Sequence, residues 1–316
     1  MNGAESLLTT LINNSVDVCF TNPGTSEMHF VAALDEVEGM RCVLCLFEGV
    51  LSGAADGYAR MADKPALTLL HVGSGFSNSM ANLHNAKRAH SPVVNIVGDH
   101  ATYHLQYDAP LTSDVPGHAR LCSDWVKVSI SADDLAGSGA EAVSAALQGA
   151  GKIATLIVPA NHAWEEANIE VTGAQPPAPA AVYGARISEV AGALENGKAT
   201  ALLLGGKALR EPCLATAGRI SKASGARVLS ETFSARLQRG AGRFPTERLQ
   251  YFAEHISEQL AGLEQIILVG TSAPVSFFAY PGQKSWLSPE GCEVIEFADD
   301  DRGIQFSLEK LASALG

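Results

Sequence analysis

Short apolar runs alternate along the first half of the chain with segments in which apolar residues recur at helical spacing. The runs predict buried strands at 16–20, 42–47, 66–72, 93–97, 125–130 and 154–158. The helical spacing predicts helices at 4–14, 49–62 and 140–147, and others around 30–37 and 80–86. Strands that alternate with helices of this length indicate right-handed βαβ units and a parallel sheet.

The same alternation returns in the second half of the chain. Strands are predicted at 199–204, 226–229, 265–269 and 292–297, with helices from 187, at 209–223, at 249–260 and from 306. A Pro-rich stretch, Gln-Pro-Pro-Ala-Pro-Ala-Ala, lies between the halves and is typical of a stiff, extended linker. We therefore predict an α/β protein with domains at 1–170 and 185–316, a linker at 171–184, and in each domain a parallel sheet flanked by helices.

Composition narrows the class of protein. Hydrophobic residues make up 47% and charged residues 18%, which is typical of a soluble globular chain. The net charge of −12 argues against a nucleic-acid surface and against an anionic membrane as partners. The N-terminus has no basic region ahead of an apolar one, and no apolar run approaches the roughly 20 residues that span a bilayer. We expect a cytoplasmic protein.

The six cysteines are scattered along the chain. Cys42 and Cys45 have the spacing of half a zinc site, but no second pair completes it. Both lie in the strand predicted at 42–47, where cysteine behaves as a small buried hydrophobe. We expect six free thiols and no metal site.

A single carboxylate, Glu48, ends the strand predicted at 42–47 and begins the helix that follows. One interpretation is an exposed acid favoured at a helix start by the backbone dipole. The other is an acid with a raised pKa, desolvated by its apolar neighbours Leu46, Phe47, Val50 and Leu51.

The helix that Glu48 begins is unusual because glycines recur at four-residue spacing, as Gly49, Gly53 and Gly57. Each costs roughly 1 kcal/mol against alanine in a helix. Three such costs on one face indicate that another backbone packs closely against it.

Two further polar groups fall at the ends of predicted strands: the turn containing Asn22 and Thr25, and His71. The carboxyl ends of neighbouring parallel strands meet at one edge of a sheet, where α/β proteins bind ligands. Alone, His71 would be interpreted as a satisfied histidine, but its convergence with the turn and Glu48 favours a functional site. The segment 98–116 lacks periodicity, and long irregular connections are usually functional or mobile.

Four segments resemble the pyrimidine-binding domain of thiamine-diphosphate-dependent 2-oxo-acid enzymes, in particular acetolactate synthase large subunits and benzoylformate decarboxylase. They are Phe-Thr-Asn-Pro-Gly-Thr-Ser-Glu at 20–27, Phe-Glu-Gly-Val-Leu-Ser-Gly-Ala-Ala-Asp-Gly-Tyr-Ala-Arg at 47–60, Leu-His-Val-Gly-Ser-Gly-Phe-Ser-Asn at 70–78 and His-Ser-Pro-Val-Val at 90–94. They follow the order and intervals of the family. The second half resembles the family's Rossmann-like central domain in pattern only.

The resemblance implies roles for particular residues. Glu48 matches the glutamate that hydrogen-bonds N1′ of the cofactor's aminopyrimidine, and His71 matches a histidine that exchanges protons near the substrate. The other cofactor-binding positions that it implies are Asn22, Pro23, Gly24, Thr25 and Asn78. The glycine-rich helix at 49–62 matches one that packs across a subunit interface, which implies a dimer or a dimer of dimers.

One departure from the family concerns the diphosphate and Mg²⁺. The family holds them in a third domain through Gly-Asp-Gly and a later Asn. Here Gly98-Asp99-His100 is the nearest match, in the wrong domain, and we interpret it as a loop rather than a metal site. We therefore expect the chain to be a fragment, with a second polypeptide as the alternative source of that domain. FAD binds the central domain of some members, and no residue here argues for or against it.

Several functions remain open at this stage. The leading expectation is part of an acetolactate-synthase-like enzyme that decarboxylates a 2-oxo acid or ligates two of them, inactive as this chain alone. A benzoylformate-decarboxylase-like enzyme and a non-catalytic binding or regulatory relative are the alternatives. A nicotinamide-dinucleotide domain is disfavoured because no strand is followed by the glycine fingerprint.

Overall fold

A computed structural model describes residues 1–168, 173, 178, 180, 182 and 184–316. The chain divides into two compact units, 1–177 and 178–316. Most of the linker predicted at 171–184 lies outside the described residues. The predicted fold class is confirmed, because each unit contains a parallel sheet flanked by helices.

The first unit contains a six-stranded parallel sheet in the order β2-β1-β3-β4-β6-β5. Its strands are β1 (Val18–Thr21), β2 (Arg41–Leu44), β3 (Ala66–His71), β4 (Val93–Asp99), β5 (Trp125–Val128) and β6 (Ile153–Pro159). Its helices are α1 (Gly3–Asn13), α2 (Met28–Glu36), α3 (Glu48–Ala62), α4 (Val72–Arg88), α5 (Val115–Cys122), α6 (Asp134–Ala146) and α7 (Ala160–Trp164).

Two apolar cores cover the two faces of this sheet. Side chains alternate between the faces along each strand, so that β3 sends Leu67 and Leu69 to one core and Leu70 to the other. Helices α1, α2 and α6 complete the first core, and α3, α4 and α5 complete the second. Burial on both faces explains why the central strands are continuous apolar runs. Among the described residues, no helix has both the length and the apolar character that a membrane span requires.

The strand predicted at 42–47 differs from the prediction. It ends at Leu44 and lies at the edge of the sheet, and Leu44 and Leu46 are exposed. The expectation that Cys42 is buried is also wrong, because an edge strand has a neighbour on one side only. A hydrogen bond with Cys19, its partner in register on β1, lowers the pKa of the Cys42 thiol to about 7.

The second unit contains a five-stranded parallel sheet in the order β11-β10-β7-β8-β9. Its strands are β7 (Thr200–Leu204), β8 (Arg227–Ser230), β9 (Glu247–Arg248), β10 (Gln265–Val269) and β11 (Glu293–Ala298). Helices α8 (Gly184–Glu195), α9 (Glu211–Ser224) and α11 (Ile304–Ala314) pack on one face, and α10 (Ala253–Leu260) packs on the other. Strand order reverses between β7 and β10, which places a crevice at their carboxyl ends.

Candidate active site

The carboxyl edge of the first sheet carries the residues singled out in the sequence. The turn after β1 contains Asn22 and Gly24, Glu48 follows β2, and His71 is the last residue of β3. Because these three strands are neighbours in the order β2-β1-β3, their ends lie side by side. A Cβ on Gly75, in the first turn of α4, would lie 3.3 Å from Glu48 Oε1 and 3.4 Å from His71 Cβ, so both side chains border one small region.

Glu48 is the first residue of α3, where the helix dipole favours a carboxylate. Its side chain is half-buried, and Oε2 accepts a hydrogen bond of 3.0 Å from Asn78 Nδ2 on α4. Asn82, one turn further along α4, donates to the carbonyl oxygen of Gly49 at 2.6 Å. These two bonds fix the start of α3 against α4 and aim the carboxylate at the edge of the sheet.

Of the two interpretations of Glu48, desolvation by its apolar neighbours does not fit the exposure of those neighbours in this chain. Leu46, Phe47 and Val50 are 95%, 47% and 57% exposed, and only Leu51 enters the core. The physical reason is that β2 ends at Leu44, so the apolar residues that follow leave the sheet before the helix begins. The position of Glu48 fits the other interpretation, in which it is a carboxylate at a helix start.

The close backbone approach predicted from the helix glycines is also not found among the described residues. A Cβ on Gly49 would meet the ring of Phe47, and one on Gly53 would meet the Asn82 side chain. A Cβ on Gly57 would have nothing within 4 Å. The outer end of the glycine face is therefore open on this chain.

A second carboxylate, Glu27, is the main feature that sequence reasoning missed. It is 2% exposed, and Oε2 accepts a hydrogen bond of 2.7 Å from the backbone N–H of Gly24. A Cβ on Gly98, near the end of β4, would lie 1.9 Å from Oε1, so the carboxylate occupies space that only glycine leaves open. The spacing of Gly24 and Glu27 is a local pattern that could have indicated this bond, but Gly98 is distant in sequence.

Glu27 holds His71 in a defined orientation. His71 Nδ1 lies 3.0 Å from Glu27 Oε2 and 2.9 Å from the Ser26 hydroxyl, which also contacts Glu27. Since a carboxylate only accepts, Nδ1 carries the proton, and Nε2 is the nitrogen that gains or loses one. The hydrogen bond that Nδ1 donates to Glu27 raises the pKa of His71 above its ordinary value, against the opposing effect of burial. The ring also packs on Gly24, whose Cβ would lie 2.4 Å from it.

The turn after β1 does not cap α2 through a side chain. Thr25 begins a short 3-10 segment, Glu27 is the residue before α2, and neither Thr25 nor Ser26 makes a capping bond to that helix. Ser26 instead turns toward His71. The side chains of Asn22 and Pro23 are half-buried at this edge, and Thr25 is exposed.

Gly98 and Asp99 belong to β4, so the interpretation of 98–100 as a loop is wrong for these two residues. Asp99 is 7% exposed, and burial raises the pKa of its carboxyl. The irregular segment predicted at 98–116 begins only at His100 and ends where α5 begins at Val115. Within the described ranges, no three His, Cys, Asp or Glu side chains are grouped as metal ligands.

Comparison with known proteins relates this edge of the sheet to a protein family. The sequence model of the family described as "Thiamine pyrophosphate enzyme, N-terminal TPP binding domain" matches residues 1–118, which include every residue discussed above. Residues 1–118 of the chain therefore match the N-terminal domain of thiamine-diphosphate-dependent 2-oxo-acid enzymes. The resemblance stated from the sequence motifs is confirmed.

Individual relatives agree with this family. A Mycobacterium tuberculosis protein named "Putative acetolactate synthase large subunit IlvX" is 53% identical over 299 residues, which cover 95% of this chain and 58% of that protein. Benzoylformate decarboxylase of Pseudomonas aeruginosa is 35% identical over 103 residues, 33% of this chain and 19% of that protein. This chain therefore spans less than two thirds of the length of these relatives.

A solved structure shows the same fold. The thiamine-diphosphate-dependent 4-hydroxybenzoylformate decarboxylase of Rhodococcus jostii superposes with a TM-score of 0.86 at 23% identity. The match covers 100% of this chain and 62% of that one.

The contact between Glu27 and His71 predicts a change in the titration of the histidine. Glu27→Gln removes the carboxylate, so the pKa of His71, measured by NMR of its ring protons, should fall. The stability that the pair contributes is present in full below the unfolded pKa of about 6.5 and is lost as the pH rises through the raised folded pKa. Glu36→Gln, at an exposed position of α2, should leave the titration unchanged. An unaltered pKa in Glu27→Gln would contradict the assignment.

Proposed function

We propose that this chain forms the pyrimidine-binding and central units of a thiamine-diphosphate-dependent enzyme that acts on 2-oxo acids in an acetolactate-synthase-like reaction. The observation that carries the proposal is the carboxylate of Glu48, presented at the carboxyl edge of the sheet by the start of α3 and held by Asn78 at 3.0 Å. The name of the relative that matches 95% of this chain supports the acetolactate-synthase assignment.

The residues at this edge fit the cofactor. Asn78 binds Glu48 Oε2, and in the described part of the chain no hydrogen bond reaches Oε1. A carboxyl group with one oxygen fixed and the other open suits a partner nitrogen such as N1′ of an aminopyrimidine. Asn22, Pro23, Gly24 and Thr25 would line the same edge. When bound, thiamine diphosphate supplies the electron sink that decarboxylation of a 2-oxo acid requires.

The chain's own residues then have distinct tasks. Glu48 presents Oε1 to the pyrimidine, and Asn78, which binds Oε2, fixes the direction of the carboxyl group. His71 exchanges a proton at Nε2, because Nδ1 is committed to Glu27. Glu27 does not reach the reacting atoms; it orients the imidazole and stabilises its protonated form.

A related proposal concerns the place where magnesium and the diphosphate bind. The described residues contain no cluster of three potential metal ligands. The IlvX relative has further length of its own, since the match covers 58% of it. We propose that the metal and diphosphate are held by such additional sequence, on the same polypeptide or on another.

A simple benzoylformate-decarboxylase-like reaction is the second candidate. It is favoured by the 35% identity to the Pseudomonas aeruginosa enzyme over 103 residues and by the pairing of the Asn-Pro-Gly-Thr turn with His71. The two candidates differ in product: a synthase joins two 2-oxo acids after loss of CO₂, whereas a decarboxylase releases an aldehyde. A non-catalytic relative would form neither.

Substitution of Glu48 tests the proposed function. In the protein at its native length, Glu48→Gln should lower 2-oxo-acid turnover by about 10²–10⁴-fold, the usual contribution of a positioned acid or base. Glu254→Gln, an exposed acid in the first turn of α10, controls for the helix dipole and should retain activity.

Product analysis of the same assay with pyruvate separates the candidates. Acetolactate supports the synthase, and acetaldehyde without acetolactate supports the decarboxylase. Unchanged turnover in Glu48→Gln would contradict the role of this residue, and an inactive native protein would favour the non-catalytic relative.

We also propose that the chain assembles with a second copy through the 49–62 helix. The supporting observations are the exposed apolar residues at both ends of α3, where Val50 and Met61 are 57% and 67% exposed, and the open glycine face at Gly57. Exposed apolar patches of this kind are typical of protein interfaces.

Matched glycine substitutions test this assembly. Gly57 in α3 and Gly137 in α6 both have open space around the position of a Cβ. Gly57→Leu should therefore weaken the oligomer in sedimentation experiments, because the added side chain would hold a partner away, whereas Gly137→Leu should not. An oligomer that is equally stable in both variants would show that this face is not the interface.

A further inference from the structure

The crevice between β7 and β10 in the second unit is where a dinucleotide would bind in a Rossmann-like fold. FAD is the dinucleotide that the resemblance leaves open for this unit. Such sites hold the pyrophosphate with backbone N–H groups of the turn after the first strand and of the helix that follows. The test of fit is therefore whether these N–H groups can reach a phosphate.

In the turn after β7, the backbone N–H of Gly206 donates to a side chain of the protein. Gly206 N donates to Glu231 Oε1 at 3.2 Å, and the Thr271 hydroxyl, after β10, donates to Glu231 Oε2 at 2.9 Å. The backbone N–H of Glu231 donates to the carbonyl of Leu204 at 3.0 Å, which fixes the residue at the end of β8. One carboxylate thus bridges the loops on both sides of the crevice.

The same carboxylate fills the space beside the turn. A Cβ on Gly205 would lie 2.6 Å from Glu231 Oε2, so the carboxylate lies directly against the glycine backbone that a phosphate would have to approach. Asp300 lies on the other side of the turn, where its Oδ2 would be 3.5 Å from a Cβ on Gly206 and its Oδ1 is 3.8 Å from Lys207 Nζ. An incoming pyrophosphate would have to displace the Glu231 carboxylate, which carries a charge of its own sign.

The helix that follows cannot replace the turn. α9 begins at Glu211, which places a carboxylate in the first turn, and continues with Pro212, which has no N–H. The N–H of Glu211 is already donated to Gln238 Oε1 at 2.6 Å. Two of the N–H positions at the start of α9 are therefore not available to an anion.

We propose that Glu231 is a built-in anion that occupies the phosphate position of this crevice and excludes FAD and other dinucleotides from it. The residues present do not fit a dinucleotide, although the topology of the sheet does. The second unit therefore functions without a flavin. The carboxylate in its crevice connects the loops that follow β7, β8 and β10.

Titration of the native protein tests the exclusion directly. FAD, ADP and inorganic pyrophosphate, each added at millimolar concentration and followed by calorimetry and by FAD fluorescence, should give no binding to this unit. Purified protein should carry no flavin absorbance. Stoichiometric flavin in the purified protein, or saturable FAD binding that survives Glu48→Gln, would overturn the proposal.

A variant tests whether Glu231 occupies an anion position. Glu231→Ala leaves the Gly206 N–H and the Thr271 hydroxyl without this acceptor, so the Tm should fall by about 4 °C or more. Inorganic pyrophosphate should then restore part of the loss, while it leaves the wild type and the exposed control Glu290→Ala unchanged. A destabilised variant with no response to pyrophosphate would contradict the proposal.

If Glu231→Ala does not fold, Glu231→Ser is measured in the same way. The titration of the wild-type protein with FAD, ADP and pyrophosphate is decisive by itself.

Discussion

The buried carboxylate of Glu27 is the interaction on which the candidate site depends. It joins the turn after β1, the end of β3 and the end of β4 through Gly24, His71 and Gly98. A carboxylate that is 2% exposed is costly unless hydrogen bonds and a nearby positive charge compensate it. Gly24 and His71 provide that compensation, and two glycines provide the space. The orientation of His71 follows from this arrangement.

Glu48 is held in place by contacts of a different kind. It relies on the start of a helix and one amide side chain, Asn78, and its apolar neighbours are exposed on the isolated chain. The two acids thus have different roles. Glu27 is buried and positions His71, whereas Glu48 is presented to a ligand. This division agrees with a site in which cofactor and partner surfaces complete the environment of Glu48.

Sequence reasoning could predict what depends on local pattern. Alternating strands and helices gave the fold class, and strand ends gave the edge at which Glu48 and His71 lie. It could not predict burial that depends on strand order, which is why β2 was expected in the core although it lies at the sheet edge. Nor could it predict contacts between distant residues, such as Glu27 over Gly98 or Glu231 against Gly205. These require the three-dimensional register.

The most direct test of the central claim is a binding comparison between thiamine diphosphate and an analogue in which N1′ of the pyrimidine is replaced by C–H. If Glu48 binds N1′, the wild-type protein at its native length should prefer the cofactor by about tenfold, the value of one good hydrogen bond, and Glu48→Gln should lose most of that preference. An equal preference in both proteins would show that Glu48 does not contact the pyrimidine and would contradict the account.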